Sequence, residues 1–462
     1  MTTDLAPRPG MRPVPGGAPA GSAATLLTGP GSLLTWLIVF YPVWWALGLG
    51  ALIFPIVAIP MAVSLWRRRH VEVPPGFAVW LVFCLLVLLS LSALDVDPAG
   101  TVAEGWWGRL PGALYRATGY GCVTVIALYA VNLSEREFPR RRMVNLLCWL
   151  AVVTVAGGLL GTFAGHLEFT SPVEALLPPK VARDGFVQSL VHPQAAQVMD
   201  FLGYETPRPA APWGYTNTWG NVLAVCVGWV VVAAFCFPVR WRWRIAAVAL
   251  LAVAIVPVIQ SMNRGLWFNL AVGAVVVAIR LAVIGQLWTI GVLALAGVLA
   301  VGVIVTTPLG EVVRARLDNG HSDDGRGFAT AEAVEAVGES PVLGFGSTRK
   351  TIGSGESIAV GPTPECPRCG GRTLGGNGQL WQVLFAHGIA GTVAYLGFFA
   401  TVLWRFRRDH TAVGIVGSVV MVLSLTSMFY YNALVAPLVI TMLVYALMWR
   451  NVRDRAMEGK AR

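Results

Sequence analysis

The chain is short of charge. Asp, Glu, Lys and Arg make up 13% of its 462 residues, where a soluble domain carries about 25%, and that excludes a water-soluble globular protein of this length. Lysine is nearly missing, with 31 arginines against 3 lysines, a bias that points to a GC-rich bacterial genome. Alternation of apolar and polar residues is missing from the apolar runs, which excludes a transmembrane barrel. No small-residue cleavage pattern follows the first apolar run, which opens near Leu33 and passes directly into a second. The first helix is therefore expected to start membrane insertion itself. No internal repeat is visible.

What is present is apolar: 56% of residues are hydrophobic, in recurring runs of about 17 to 25 residues. Without water in the bilayer core, a helix is the form in which such a run satisfies its own backbone. The expected fold is all-α, a polytopic transmembrane bundle of about 12 helices. Spans are expected at 33–49, 51–66, 76–94, 114–133, 145–164, 215–237, 245–261, 266–284, 286–307, 379–403, 411–430 and 432–449. A proline- and glycine-rich tail, 1–32, precedes them and reads as disordered; a basic tail, 450–462, follows. The net charge of +10 sits in short loops, at Arg67 to Arg69, Arg140 to Arg142, Arg240 to Arg244 and Arg405 to Arg408. These all fall on one side, which marks that side as cytoplasmic. The charge thus sets topology, and no nucleic-acid partner is expected; the lipid bilayer is the partner. Two long polar segments, 165–214 and 308–378, then face outward, and function is expected there.

Ser261-Met-Asn-Arg-Gly265 places Arg264 at the outer end of a span. A guanidinium near hydrocarbon is costly, so Arg264 faces a polar cavity or an anion, or else snorkels to the headgroups. Arg326 stands before a stretch, 329–337, with the composition of a short surface helix, which ends Pro341-Val-Leu-Gly-Phe-Gly346; a solvated loop arginine is the plain alternative. Asn377 opens the run Asn377-Gly-Gln-Leu-Trp-Gln-Val-Leu-Phe-Ala-His-Gly-Ile-Ala-Gly391. In the first outer segment, Arg208-Pro-Ala-Ala-Pro-Trp-Gly-Tyr-Thr-Asn217 sets Arg208, Tyr215 and Asn217 beside rigid prolines and aromatics. That composition suits a sugar, and equally an interfacial aromatic belt. His192 has no partner visible in sequence and reads as structural, and His387 as a packed histidine. Cys366 and Cys369 form one C-P-R-C pair. A zinc ribbon needs a second pair, so no metal is expected; outside the cytoplasm a disulfide is the stronger reading and a redox pair the weaker.

The S-x-x-R-G turn, the arginine heading a helix that ends P-x-x-G-x-G, and the closing G-x-x-G come in an order that resembles the bacterial O-antigen ligase and polysaccharide polymerase superfamily, over roughly residues 208–403. The resemblance implies an inverting, metal-independent glycosyltransferase of the bacterial cytoplasmic membrane, with no cofactor. Its substrates are a polyprenyl-diphosphate-linked glycan and a glycan acceptor at the outer face. It implies Arg264, Arg326 and the position of Asn377 as the catalytic set. The family carries a histidine where this chain has Asn377. Either Asp323 or Asp324 takes the proton, or little base is needed, or transfer is lost. A polymerase, a transporter and a membrane scaffold remain as other readings.

Overall fold

The computed structural model describes residues 29–200, 205–318, 323–351 and 373–460. Helix makes up 71% of it, and its described strands form two short antiparallel pairs, Ala196–Asp200 with Glu205–Pro209 and Arg349–Lys350 with Thr373–Leu374. Among the described residues, seven helices are long and apolar enough to cross a membrane: Gly105–Val131, Arg140–Phe163, Thr216–Phe235, Trp241–Gln260, Arg264–Val283, Leu287–Thr306 and Gln379–Phe406.

Seven corrects the expected count of about twelve, and the reasons are local. The run 33–49 divides into Ser32–Val39 and Tyr41–Ala46, because Pro42 starts a new helix and cannot donate to the old one. The runs 51–66, 76–94 and 411–430 form Ile53–Trp66, Phe77–Leu89 and Ala412–Ser427, of 14, 13 and 16 residues. At the rise of an α-helix these reach about 20 to 24 Å, short of a hydrocarbon core of about 30 Å. The run 432–449 begins a helix, Ala436–Lys460, whose second half is charged. That half is docked: Arg450 is fully buried and donates to the Phe138 and Ser134 carbonyls, and Arg453 pairs with Glu72 at 2.6 Å.

The exterior is what makes this a membrane protein. None of the apolar window of Leu287–Thr306 is buried, and Ile59, Leu295 and Val298 are 60–68% exposed. Water excludes a surface of that kind and lipid solvates it. Inside, Thr216–Phe235 is the most enclosed span, packed against Arg140–Phe163, Ala412–Ser427 and Ala436–Lys460. Its Trp219 is fully buried and donates to the Thr154 carbonyl at 2.8 Å.

The described parts of the two long polar segments are folded onto this bundle. The Ala196–Pro209 hairpin and the chain after it lie on a glycine face of Arg140–Phe163, where a Cβ on Gly161 would sit 2.5 Å from the Ala195 carbonyl oxygen. Only glycine permits so close an approach. In the second segment, the expected surface helix at 329–337 is instead a longer one, Asp323–Ala336, continued by a 3-10 turn. It is half-buried, with Ala329, Ala333 and Ala336 packed against Phe345, Leu374 and Phe385.

Candidate functional site

The S-x-x-R-G segment forms a strained turn between two spans. Met262 takes a left-handed backbone, φ 47°, and Asn263 caps the next helix by accepting from the Leu266 amide at 3.3 Å. Tyr431 also donates to the Asn263 amide oxygen, and the Asn263 nitrogen donates to the Thr216 carbonyl at 3.3 Å. The turn presents two carbonyls, and each is taken by an arginine: Arg208 Nε donates to Ser261 O at 2.7 Å, and Arg316 Nε to Met262 O at 3.2 Å. Both arginines are buried, and Arg264 stands at the first position of the helix that follows. Three guanidinium groups therefore converge on one turn at a helix N-terminus, where backbone N–H groups add positive potential.

The other two motifs lock into each other. Helix Gln379–Phe406 breaks at Gly388, whose φ of 65° and ψ of −169° are not helical. The Pro341–Gly346 loop fills the break, as Phe345 and Gly346 donate to the Phe385 and Ala386 carbonyls at 3.0 and 2.8 Å, and Ile389 donates to the Pro341 carbonyl at 2.7 Å. A Cβ on Gly388 would come 2.3 Å from Val342 O, and one on Gly344 would come 2.5 Å from Phe385 O. Arg349 then ties the loop to the end of an earlier helix, donating to Leu94, Val96 and Phe345 carbonyls at 2.9–3.2 Å. Burial, reinforced by the neighbouring Arg109 and opposed by Asp97, pushes its guanidinium down to about 10. His387, beside the break, is buried and meets Ser90 Oγ at 2.8 Å through Nδ1. It is packed, as expected.

Between these pieces lie two cavities. The larger, about 530 Å³, has Arg208, Tyr215, Asn217 and Asn377 in its wall, with Arg116 and Gln382. The smaller, about 310 Å³, has Arg264 and Arg316, and shares Arg208, Asn217 and Tyr430 with the first. So Arg208, Tyr215, Asn217, Arg264 and Asn377, which lie far apart in sequence, border two neighbouring cavities with a common wall. The described walls of both cavities hold no Asp or Glu. Position 326 lies in the first turn of Asp323–Ala336, but the side chains of Asp323, Asp324 and Arg326 fall outside the described residues, as do Cys366 and Cys369.

Three wall residues were missed by sequence reasoning. Arg116 lies inside an apolar run, where an arginine is costly enough to be a signal. It donates to Ser347 Oγ and Thr348 Oγ1 at 2.9 and 2.8 Å, joining its helix to the Pro341–Gly346 loop. Arg316 gave no signal, being one of several charged residues of a polar segment. Gln382 is 6% exposed, and its Oε1 is buried with no partner among the described residues; such an acceptor is costly until a donor such as a hydroxyl meets it. No protein-family model matches the sequence, and no curated protein matches it.

Proposed function

We propose that this protein is a glycosyltransferase of the O-antigen-ligase kind, moving a glycan from a polyprenyl-diphosphate carrier to an acceptor. In this reading it lies in a bacterial cytoplasmic membrane with the cavities open to the outer side and the basic loops inside. The observation that carries the reading is the gathering of Arg116, Arg208, Arg264 and Arg316 on two neighbouring cavities whose described walls hold no carboxylate. A diphosphate gains negative charge as it leaves, and guanidinium groups in a water-poor site stabilise that charge through paired, charge-assisted hydrogen bonds. The amides of Asn217, Asn377 and Gln382 supply donors and acceptors for sugar hydroxyls in the adjoining wall. The carrier is expected with its diphosphate near Arg264 and Arg208 and its sugar in the larger cavity, in an inverting, metal-independent displacement.

The test is release of polyprenyl diphosphate from a purified, lipid-reconstituted sample given a polyprenyl-diphosphate-linked glycan. Arg264→Ala is expected to slow release about a hundred- to a thousandfold, the cost of one donor aimed at developing charge. Arg264→Lys should fail to restore it, since an ammonium is not a planar fork. Arg326→Ala belongs in the same series. Wild-type rates in Arg264→Ala, Arg208→Ala and Arg326→Ala alike would make the reading wrong.

A further inference from the structure

The transferase reading leaves one role empty: the described walls of the two cavities hold no carboxylate and no imidazole to take a proton from the acceptor. A third cavity, about 110 Å³, adjoins the larger one and shares Tyr115, Ser189, Tyr215 and Thr218 with it. Its wall is aromatic, built from Tyr41, Trp45 and Trp213, with Tyr41 and Trp213 stacked at 4.2 Å between ring centroids. His192 completes that wall.

His192 is held as a catalytic histidine is held. Its Nδ1 lies 2.8 Å from Glu174 Oε2, and a carboxylate accepts, so Nδ1 carries a proton and the neutral imidazole has its lone pair on Nε2. Glu174 is itself fixed. It closes a capping box with Ser171, accepting from the Ser171 amide at 3.3 Å while its own amide donates to Ser171 Oγ at 3.1 Å. The Ser171 hydroxyl donates to the carbonyl of Val191, next to His192, at 2.6 Å. Nucleophile, oriented base and orienting carboxylate are the usual elements of an activated hydroxyl, and here the last two are present beside a ring-lined cavity of sugar-binding character.

We propose that the aromatic cavity is the acceptor's subsite and that His192, positioned by Glu174, takes the proton of the acceptor hydroxyl. This rests on the transferase reading. The acceptor O–H gives its proton to Nε2 as the oxygen bonds to the anomeric carbon of the donor sugar. The bond from that carbon to the phosphate oxygen breaks, and the diphosphate leaves with the electron pair among the arginines. Glu174 stabilises the imidazolium that forms.

The test uses membranes of the source cell, which contain the natural acceptor, with the chromosomal copy deleted and a variant expressed in its place; release of radiolabelled polyprenyl diphosphate is followed against pH. His192→Ala is expected to release it about 10²- to 10⁴-fold more slowly, the range for a lost general base. It should bind donor as wild type does, lose the acid limb of the wild-type profile, and regain part of its rate when imidazole is added. The other titratable groups are Glu168, 3.9 Å from Nε2, and Glu174 at the ring, and the phenols of Tyr41, Tyr115 and Tyr215 in the wall of the same cavity. Glu168→Gln is expected to keep the acid limb. Glu174→Gln should slow release with donor binding unchanged. If His192→Ala elutes as an aggregate, His192→Gln, whose amide still donates to Glu174, carries the test. A His192 variant that matches wild type, or one slowed without imidazole rescue and with an unchanged pH profile, overturns the proposal alone. Wild-type membranes that release no more than the deletion strain overturn the transferase reading with it.

Discussion

An arginine that spends its Nε on a backbone carbonyl can still offer the paired terminal nitrogens of its fork elsewhere, which a lysine cannot do. Arg208 and Arg316 each donate Nε to a carbonyl of the Ser261–Arg264 turn. Arg208→Lys is therefore expected to lose the hydrogen bond to Ser261 together with the fork, and to weaken affinity for polyprenyl diphosphate about ten- to a hundredfold, the worth of a charged hydrogen bond. Calorimetric titration of the reconstituted protein measures it; unchanged affinity would separate Arg208 from the ligand. Asn377→Ala should be milder, about tenfold in turnover, because a neutral amide contact to a hydroxyl is worth less. At this scale much of the site was legible. Arg208, Tyr215, Asn217, Arg264 and Asn377 drew attention as polar groups at the ends of apolar runs, and they line two cavities that have Arg208, Asn217 and Tyr430 in common. Arg316 and Gln382 were not legible, since which loop arginine folds back, and which buried amide keeps an unmet acceptor, are outcomes of tertiary packing. The partner of His192 was hidden for the same reason: Glu174 stands 18 residues away in sequence, and only the folded segment joins them.

A helix broken in its middle is usually a defect, yet the break at Gly388 has a partner built to its shape. The Pro341–Gly346 loop replaces the hydrogen bonds that the helix gives up, and both sides need glycine because a Cβ on either would overlap backbone. Gly388→Ala would bring φ of 65° to a side chain with no room for it, a strain of about 1–3 kcal/mol before any repacking. Thermal unfolding followed by tryptophan fluorescence should show a lowered Tm, by several degrees, with turnover reduced because the same loop holds Arg116 through Ser347 and Thr348. A variant with wild-type Tm would mean that the interlock carries no load. The glycine spacings were visible in sequence, but their meeting was not: apolar periodicity runs straight through 379–403 and contains no sign of a break. Short helices escaped for a related reason, since hydrophobic runs show where lipid or core is met and say less about where Pro42 or a tight turn ends the helix.

Across the molecule, charge and apolar surface are separated. Lipid-facing surface such as that of Leu287–Thr306 is bare of charged groups, while the guanidinium groups of Arg208, Arg264 and Arg316 meet at one turn. The membrane class followed from composition alone, because no folded arrangement in water could hide so much apolar surface. The convergence of the arginines could not follow from composition, since it depends on the hairpin docking over Gly161. The most direct measurement is a cryo-electron microscopy reconstruction of the protein in lipid nanodiscs saturated with polyprenyl diphosphate. Phosphate density is expected within hydrogen-bonding reach of Arg208, Arg264 and Arg316. Diphosphate density at any other surface, with that cavity unchanged, would contradict it.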